Sequence, residues 1–307
     1  MRLKNKALLS ICVPTFNRRK FLLRLLASIP ANNKLIEIVI IDDGSTDNTK
    51  FAIEEIKKKI NYKCNYKYQK NKGRALALKE AIKLATGFYT IIMDSDDYFT
   101  DDGVNIILDT INKQHSEKAR AKNQHKNFVF GVTTKKGFLS RENLPPENLT
   151  TNFIELRADY KIKNDLKEVV LTHNLKKIFN GLKINNKRLP TFLVWAKIAE
   201  KSNCLCINES VAVKEYLNDG MTANIFKLKI NNPLPMFILY RLLLFSRKYK
   251  SVSYRMFSYI QMVRYAFHAK KKNKEIINII FSLMYFTGFA IYLFDKLRIY
   301  LLSLIKK

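Results

Sequence analysis

The sequence contains little of what marks a disulfide-stabilised or zinc-binding protein. Its 307 residues include four cysteines, which are Cys12, Cys64, Cys204 and Cys206. They are too few and too scattered for a disulfide scaffold, and the single close pair has no second pair with which to build a zinc site. Because Cys204 and Cys206 alternate with apolar residues, we expect both to face the core from one side of a strand.

The sequence also lacks the glycine-rich motifs of common nucleotide-binding folds. No Gly-x-Gly-x-x-Gly follows the first apolar run, which continues instead into Pro14-Thr15-Phe16-Asn17, and no Walker pattern is present. These absences exclude hydride transfer on a dinucleotide and P-loop chemistry. There is no internal repeat, and the hydrophobic fraction of 47% can supply a full core, which excludes a wholly disordered chain.

Acidic residues are scarce relative to basic ones. The chain has 55 Lys plus Arg and 26 Asp plus Glu, for a net charge of +29. Residues 225–307 hold 16 basic and two acidic residues, giving 16 − 2 = +14, in the most apolar and aromatic part of the chain. A basic, aromatic and apolar segment favours an anionic membrane surface as the partner. We expect no nucleic acid as a partner, because no nucleic-acid-binding module is recognisable.

The N-terminus combines basic residues with a short apolar run that breaks at Pro14. No small-residue cleavage site follows, so we interpret this run as a first strand rather than as a signal peptide. We therefore expect the chemistry to take place in a reducing cytoplasm.

Up to about Gln114, short apolar runs alternate with segments of helical period. The strand-like runs are 8–13, 36–41, 66–69 and 88–93, and the helical segments are 19–28, 46–60 and 74–86. Such alternation predicts βαβ units and an α/β fold with a mostly parallel sheet. The less regular part that follows contains a short strand at 128–132 and a helix at 190–201, in which we expect Trp195 to be a core anchor or, alternatively, a platform for a sugar ring.

A third part begins near Pro233 and is rich in apolar helical segments. Residues 276–294 form an uncharged run of 19 residues between Glu275 and Asp295. As a helix this run would be about 28 Å long, near the thickness of a bilayer core, although several polar residues dilute it. It predicts either one spanning or re-entrant helix, or a helix that lies in the membrane interface or packs on its neighbours.

Two acidic turns directly follow predicted strands. The second strand ends in IVIIDDGSTDNT, so Asp43 stands where open α/β sheets bind ligands, although a helix cap by Asp47 would look similar. The fourth strand ends in YTIIMDSDDYF, where burying Asp94 and Asp96 is costly unless a cation neutralises them. Mg²⁺ or Mn²⁺, held by one or two carboxylates and substrate phosphates, fits this pattern, and a solvated acidic turn is the alternative.

Together these segments resemble the family 2 glycosyltransferases of the GT-A fold, of the type used in bacterial polysaccharide, lipooligosaccharide and capsule biosynthesis. The matching motifs are ICVPTFNR, IEIVIIDDGSTDNT, NKGRALALKEAIKLATG and IIMDSDDYF, in the family's order, and a weaker resemblance extends to about Pro233. The resemblance implies inverting transfer of a sugar from a nucleotide-diphosphate donor, usually a UDP-sugar, to a hydroxyl of a glycan or lipid-linked acceptor.

The resemblance also implies roles for individual residues. By position in the motifs, the donor-binding residues would be Pro14, Thr15, Phe16, Asp43, Arg74, Asp94 and Ser95. Asp94 and Asp96 would hold Mn²⁺ or Mg²⁺ on the diphosphate and so stabilise the leaving group.

One position departs from the family's pattern. In similar proteins an acidic residue opens the helix that contains the tryptophan and takes the acceptor's proton. In KRLPTFLVWAKIAEK that position is Thr191, which cannot serve as a base. Asp159 and Asp219 are the candidate replacements, with Asp165 a further one, while His173 fits a surface helix equally well. The alternative is a catalytically weakened or silent homologue that acts as a partner in a membrane assembly.

These observations divide the chain into three parts. Residues 1–114 are expected to be the nucleotide-sugar-binding half of a GT-A domain, and residues 115–232 its acceptor-side half. Residues 233–307 are expected to form a basic, amphipathic and apolar helical tail. This tail would hold the protein at the cytoplasmic face of the inner membrane.

Overall fold

The structure is a computed structural model that describes residues 7–115, 127–134, 145–182, 189–215, 225–270 and 282–304. Its strands are β1 Leu9–Thr15, β2 Ile36–Asp42, β3 Lys63–Tyr68, β4 Tyr89–Ile92, β5 Tyr98–Phe99, β6 Asn127–Thr134, β7 Thr150–Thr151, β8 Lys167–Leu171 and β9 Cys204–Lys214. Its helices are α1 Arg19–Ala27, α2 Thr49–Lys57, α3 Arg74–Leu84, α4 Gly103–His115, α5 Phe153–Ala158, α6 Thr172–Gly181, α7 Thr191–Ala199, α8 Ile225–Asn231, α9 Pro233–Phe245, α10 Val252–His268 and α11 Ser282–Leu304.

In the described part of the chain the strands form one sheet in the order β3-β2-β1-β4-β8-β6-β9-β5, with β7 paired to β9. The first four strands are parallel, as expected. Beyond β4 the sheet is mixed, because β8 runs antiparallel to both β4 and β6 while β6 and β9 are parallel. The α/β fold class is therefore confirmed, and the first residues of β8 lie at the sheet edge where β4 ends.

Helices cover both faces of the sheet. Every residue of β1 and β2 is buried, as expected for strands packed on both sides. One hydrophobic cluster joins the sheet to α1, α2 and α4, and the other joins it to α3, α5, α6, α7, α9 and α10. Cys204 and Cys206 are buried thiols in the second cluster, and Trp195 packs there against Phe153 with ring centroids 5.8 Å apart. The predictions of core thiols and of a core tryptophan are confirmed.

The second helix is shorter than the sequence pattern predicts. It begins at Thr49, because Asn48 adopts a left-handed conformation with φ of 59°. The Asp47 carboxylate accepts hydrogen bonds from the Arg19 backbone N–H at 2.9 Å and from the Thr49 hydroxyl at 2.5 Å. The turn after β2 is thereby tied to the start of α1.

The C-terminal helices pack on the domain and on one another. Asp295 of α11 is buried, and both of its carboxylate oxygens accept bonds from Arg264 of α10, at 2.7 and 2.8 Å. Gly288 allows the close approach of these helices, since a Cβ there would lie 2.8 Å from the Ile260 carbonyl oxygen. Only residues 282–294 of the predicted uncharged run fall in the described part, and α11 continues through Asp295. Among the described helices, none combines the length and the apolar character needed to cross a bilayer.

A buried carboxylate at the opposite edge of the sheet was not anticipated from the sequence. Glu37 interrupts the apolar run of β2 and is fully buried beside Ser10 of β1. It accepts hydrogen bonds from the hydroxyls of Ser10 and Thr86, at 2.5 and 2.6 Å, and from the backbone N–H groups of Thr86 and Gly87. Burial opposes its ionisation, but these hydrogen bonds outweigh burial, and its pKa lies below the ordinary value.

We expect Glu37→Gln to lower the free energy of unfolding by about 1–3 kcal/mol at neutral pH, because donors aimed at the carboxylate would lose their partner. A lowered folded-state pKa gives stability that is present above the unfolded pKa, about 4.3, and is lost as the pH falls through the folded value. Urea unfolding between neutral and acidic pH should show this loss in the wild type and less of it in Glu37→Gln. The exposed Glu54→Gln is the control, and equal stability of wild type and Glu37→Gln would contradict the assignment.

Candidate functional site

A cavity of about 790 Å³ opens at the sheet edge where β4 ends and β8 begins. Charged side chains line one side of it, and aromatic and apolar side chains line the other. The lining includes Arg74, Asp94, Asp97, Arg157, Asp165, Lys167, Glu168, Thr191, Trp195, Lys214, Tyr254 and Phe257. Residues that are far apart in the sequence, from α3 to α10, therefore meet at one edge, as expected for ligand sites of open α/β sheets.

Asp43 fixes the loop that leads into α3. Its Oδ1 accepts hydrogen bonds from Gln69 Nε2 at 2.7 Å and from the Lys72 backbone N–H at 2.8 Å, while Oδ2 accepts from the Gly73 N–H at 2.7 Å. The carboxylate is 3% exposed. Asp43 thus positions Arg74, the first residue of α3, at the cavity.

The residues expected to line a nucleotide pocket stand at the end of β1. Pro14 and Thr15 are buried, whereas the Phe16 ring is 47% exposed. The following residue, Asn17, accepts a hydrogen bond from the Thr46 N–H at 2.8 Å, which ties the turn after β1 to the turn after β2. Phe16 therefore presents an aromatic face beside two turns that are fixed to each other.

Asp94 and Arg74, predicted as separate ligands of a donor complex, are paired in the structure. The Arg74 guanidinium donates to Asp94 Oδ1 from Nε at 2.8 Å and also from Nη2. Burial opposes the ionisation of Asp94, but Arg74, Lys167 and Lys214 outweigh it, so the pKa of Asp94 lies below its ordinary value. Three cations thus surround this carboxylate.

The rest of the acidic turn after β4 is bound by Lys167 on one side and by Arg24 on the other. Asp97 is 1% exposed and pairs with Lys167 Nζ at 2.7 Å. On the other side Arg24 forms an ion pair with Glu215 and donates to the Asp96 backbone carbonyl at 2.8 Å. Arg24, Lys167 and Glu215 had no recognisable motif in the sequence, and a lysine that opens the apolar strand KEVVL was the sole signal for any of them.

The turn fits a divalent cation only when substrate oxygens complete the coordination. Burial, and then the charges of Asp94 and Asp97, raise the pKa of Asp96, so a cation beside it would relieve uncompensated negative charge. The described residues contain no group of three His, Cys, Asp or Glu side chains that could hold a metal. One or two carboxylates with phosphate oxygens is the usual arrangement for Mg²⁺. Asp94 lines the cavity and fits this role, whereas Asp96 is not among the residues that line it. Ser95, between them, is buried.

Thr191 begins α7 and lines the cavity, and it is the residue in whose place the motif resemblance leads us to expect an acid. Glu168, the second residue of β8, lines the same cavity and was missed by sequence reasoning because its strand carries no motif. Burial raises the pKa of Glu168 to about 7, against the opposing effects of Arg157 and Lys167. A carboxyl group whose pKa is raised to about 7 therefore lines the same cavity as Thr191.

The candidate bases named from the sequence occupy different surroundings. Asp159 accepts hydrogen bonds from the backbone N–H groups of Ser251 at 2.7 Å and Lys250 at 2.9 Å, so it holds the turn before α10. Asp165 pairs with Lys214 Nζ at 2.6 Å. His173 is exposed in the first turn of α6. Asp219 lies outside the described residues, and its role stays a prediction.

Comparison with known proteins gives the same assignment as the motifs. Residues 10–151 match the sequence profile of Glycosyl transferase family 2. A chondroitin synthase of Escherichia coli is 38% identical over 118 residues, which are 37% of this chain and 17% of that protein. The chain spans between about one sixth and two fifths of the length of the curated relatives that it matches. The resemblance to family 2 glycosyltransferases is confirmed for this segment.

Solved structures show the fold over most of the chain. Residues 1–349 of Staphylococcus aureus TarS, in complex with UDP-GlcNAc, superpose with a TM-score of 0.60 at 15% identity, covering 94% of this chain and 81% of that one. The mannosyltransferase PcManGT from Pyrobaculum calidifontis, in complex with GDP-Man and Mn²⁺, gives a TM-score of 0.54 at 15% identity, covering 97% and 84%. The expected GT-A fold is confirmed.

We expect Lys167→Met to lower the free energy of unfolding by about 3–5 kcal/mol, because it leaves the buried Asp97 carboxylate without its cation. Adding Asp97→Asn in the same chain should recover part of this loss, which a double-mutant cycle would measure by urea unfolding. The control is Lys58→Met, which removes an exposed partner of Glu55 and should cost at most about 1 kcal/mol. Additive effects of Lys167→Met and Asp97→Asn would contradict the coupling.

Proposed function

Because residues 10–151 match the profile of Glycosyl transferase family 2, we propose that the protein is an inverting, metal-dependent glycosyltransferase. It transfers a sugar from a nucleotide-diphosphate donor, in this proposal a UDP-sugar, to a hydroxyl of a glycan or lipid-linked acceptor. The observation that carries the proposal is the cavity at the carboxyl edge of the sheet, where Asp94 and Asp97 lie among Arg74, Lys167 and Lys214. This arrangement can hold a diphosphate with a cation.

Electrostatic stabilisation of the leaving nucleoside diphosphate is the main requirement of the reaction. Arg74 can present its planar guanidinium to phosphate oxygens, in exchange for part of its contact with Asp94. Lys214 lies on the same cavity, and its pKa is raised by Asp165, Asp97 and Asp94 against the effect of burial, so it stays charged. A divalent metal held by Asp94 and Asp96 would offset further charge on the diphosphate.

Recognition of the donor's base is assigned to the turns after β1 and β2. The exposed Phe16 ring offers an apolar face. The Asp43 backbone N–H donates to the Thr15 carbonyl oxygen at 2.8 Å, and its buried carboxylate accepts from Lys72 and Gly73. The UDP-sugar donor of this proposal follows from the motif resemblance. TarS, of similar fold, was solved with UDP-GlcNAc and PcManGT with GDP-Man, so a GDP-sugar is the second donor to test.

The acceptor is assigned to the aromatic side of the cavity. Tyr254 and Phe257 of α10 line this side, backed by the buried Trp195 of α7. Aromatic side chains combine a large apolar surface with a polar group on tyrosine or tryptophan, which suits the mixed surface of a saccharide. The C-terminal helices therefore contribute directly to the proposed acceptor site.

Association with the cytoplasmic face of the inner membrane is the remaining part of the proposal. Helix α11 leaves a group of large apolar side chains exposed, which are Phe286, Leu293, Phe294, Leu297, Tyr300, Leu301 and Leu302. Lys296 and Arg298 lie on the same helix, within a segment of net charge +14. Exposed apolar area beside basic residues is the combination that binds an anionic bilayer surface.

A second candidate function follows from Thr191, which begins α7 where the motif resemblance leads us to expect an acid. A chain without a base would bind the donor and yet transfer the sugar slowly or not at all. It would then serve as a partner in a membrane assembly.

Replacing both Asp94 and Asp96 with Asn should weaken binding of UDP in the presence of Mn²⁺ by about a hundredfold or more, because the carboxylates that fix the metal are removed. Isothermal calorimetry with Mn²⁺ and with a chelator would measure the change. Asp109→Asn on α4, which is exposed and away from the cavity, is the matched control. Equal affinities of the double variant and the wild type, each with Mn²⁺, would refute the metal site.

Replacing Phe294, Leu297 and Leu301 with Glu should weaken binding to vesicles of phosphatidylcholine and phosphatidylglycerol by at least about a hundredfold, because each buried apolar side chain contributes about 1.5–3 kcal/mol. Flotation of the vesicles would measure this, and raised ionic strength should weaken wild-type binding in part. Phe51→Glu on α2 is the control, since this phenylalanine is as exposed as Phe294. Wild-type protein that ignores anionic vesicles would exclude membrane docking through α11.

A further inference from the structure

We propose that Glu168 takes the place of the missing acid at Thr191 and acts as the general base that removes the proton from the acceptor hydroxyl. The proposal rests on the transferase function proposed above. It also explains how a chain with threonine at this position can remain an active enzyme.

The sheet topology places Glu168 at the edge of the sheet where the cavity opens. Strand β8 runs antiparallel to β4, with Val169 opposite Ile91, so the start of β8 lies beside the end of β4. Successive strand residues face opposite sides of the sheet. Lys167 faces Asp97, and Glu168 therefore faces the side on which Val170 packs in one cluster with Trp195.

Glu168 and Thr191 border the same space. Thr191 is the first residue of α7, whose buried face packs over the side of the sheet to which Glu168 belongs. Both residues line the cavity that also contains Asp94 and Arg74. A carboxylate projecting from β8 would therefore enter the acceptor region from the sheet, whereas the usual acid would enter it from the helix.

The other acids of this cavity are occupied by cations. Asp94 pairs with Arg74, Asp97 with Lys167, and Asp165 with Lys214. In the described part of the chain, no other side chain forms a hydrogen bond or ion pair with the Glu168 carboxylate. Among the described acids that line the cavity, Glu168 is therefore the one available to accept a proton.

The charged groups near Glu168 do not cancel the effect of burial on its pKa, so its carboxyl group is suited to act as a base at neutral pH. Arg157 of α5 approaches it, but Nη1 of Arg157 donates to the carbonyl oxygens of Ile162 and Asn164, at 2.7 and 2.6 Å. Lys167 points to Asp97, and the Asp165 charge opposes ionisation slightly. Burial dominates and raises the pKa to about 7, which is where a general base works best near neutrality.

The proton balance of the step is simple. The acceptor oxygen forms a bond to the anomeric carbon while its proton moves to the Glu168 carboxylate. The bond between the anomeric carbon and the phosphate oxygen breaks, and its electron pair leaves with the nucleoside diphosphate. Glu168 then releases the proton to water. Because the carboxylate must be ionised to act, the rate should rise with pH through the pKa of Glu168.

The test uses the full chain with Mn²⁺ and two donor probes, UDP-glucose and UDP-N-acetylglucosamine, with water as the acceptor and UDP release as the readout. We expect Glu168→Gln to lower the rate about a hundred- to ten-thousandfold and to remove the inflection near pH 7, with UDP affinity by calorimetry unchanged. Adding Thr191→Asp to Glu168→Gln should restore the rate at least tenfold and move the inflection to lower pH. Glu209→Gln, an exposed glutamate on β9, is the matched control.

Each outcome separates this proposal from the proposed function. Failure of the wild type to bind UDP with Mn²⁺ would overturn the transferase function itself. Binding of UDP with an unchanged rate and inflection in Glu168→Gln would overturn the role of Glu168 alone. A wild type that binds UDP but releases none until Thr191→Asp is introduced would also overturn it, in favour of a silent homologue.

If the chain binds UDP but turns over neither probe, an infrared titration still tests the proposal. The difference between wild type and Glu168→Gln should show a carboxyl group that ionises near pH 7. Ionisation of Glu168 near its ordinary value of about 4.3 would overturn the proposal.

Discussion

The buried ion pair between Asp97 and Lys167 is the constraint on which the cavity depends. It joins the turn after β4, the last strand of the parallel half, to the start of β8, the first strand of the mixed half. Burying such a pair costs desolvation energy, and the attraction to Asp97 and Asp94 outweighs burial in holding the pKa of Lys167 above its ordinary value. The pair also fixes the positions of the acidic side chains at this edge of the sheet. With Asp97 fixed to one side of β8, Asp94 faces the three cations, and strand alternation sends Glu168 to the opposite side.

The parts of the site that the sequence predicted are those set by local patterns. The parallel half followed from apolar runs alternating with helical segments, Asp43 and Asp94 from acidic turns at strand ends, and Arg74 from the family resemblance of the segment NKGRALALKEAIKLATG. Parallel strands deliver their carboxyl ends to one edge, so residues after different strands meet without any further information. Local pattern also sufficed for Trp195, because an apolar helix face predicts burial whatever it packs against.

The parts that the sequence did not predict depend on pairings between distant segments. Lys167 and Glu215 carry no motif, and their roles follow only from where β8 and β9 enter the sheet. The same limit applies to Asp159, a candidate base that instead anchors the turn before α10. Glu168 shows the limit most clearly. It is adjacent to Lys167 in the sequence, and yet its side chain lies on the opposite face of the sheet. Its place at the cavity follows only from the register in which β8 pairs with β4.

The tail is where composition was least informative about structure. Charge and hydropathy set residues 233–307 apart, but α9 and α10 share a hydrophobic cluster with the sheet and supply Tyr254 and Phe257 to the cavity. The buried contact of Asp295 with Arg264 then ties α11 to α10. If α11 lies on the membrane as proposed, the helix that lines the acceptor side is held by the helix that meets the lipid. A lipid-linked acceptor would then reach the cavity by diffusing in the plane of the membrane, without leaving it.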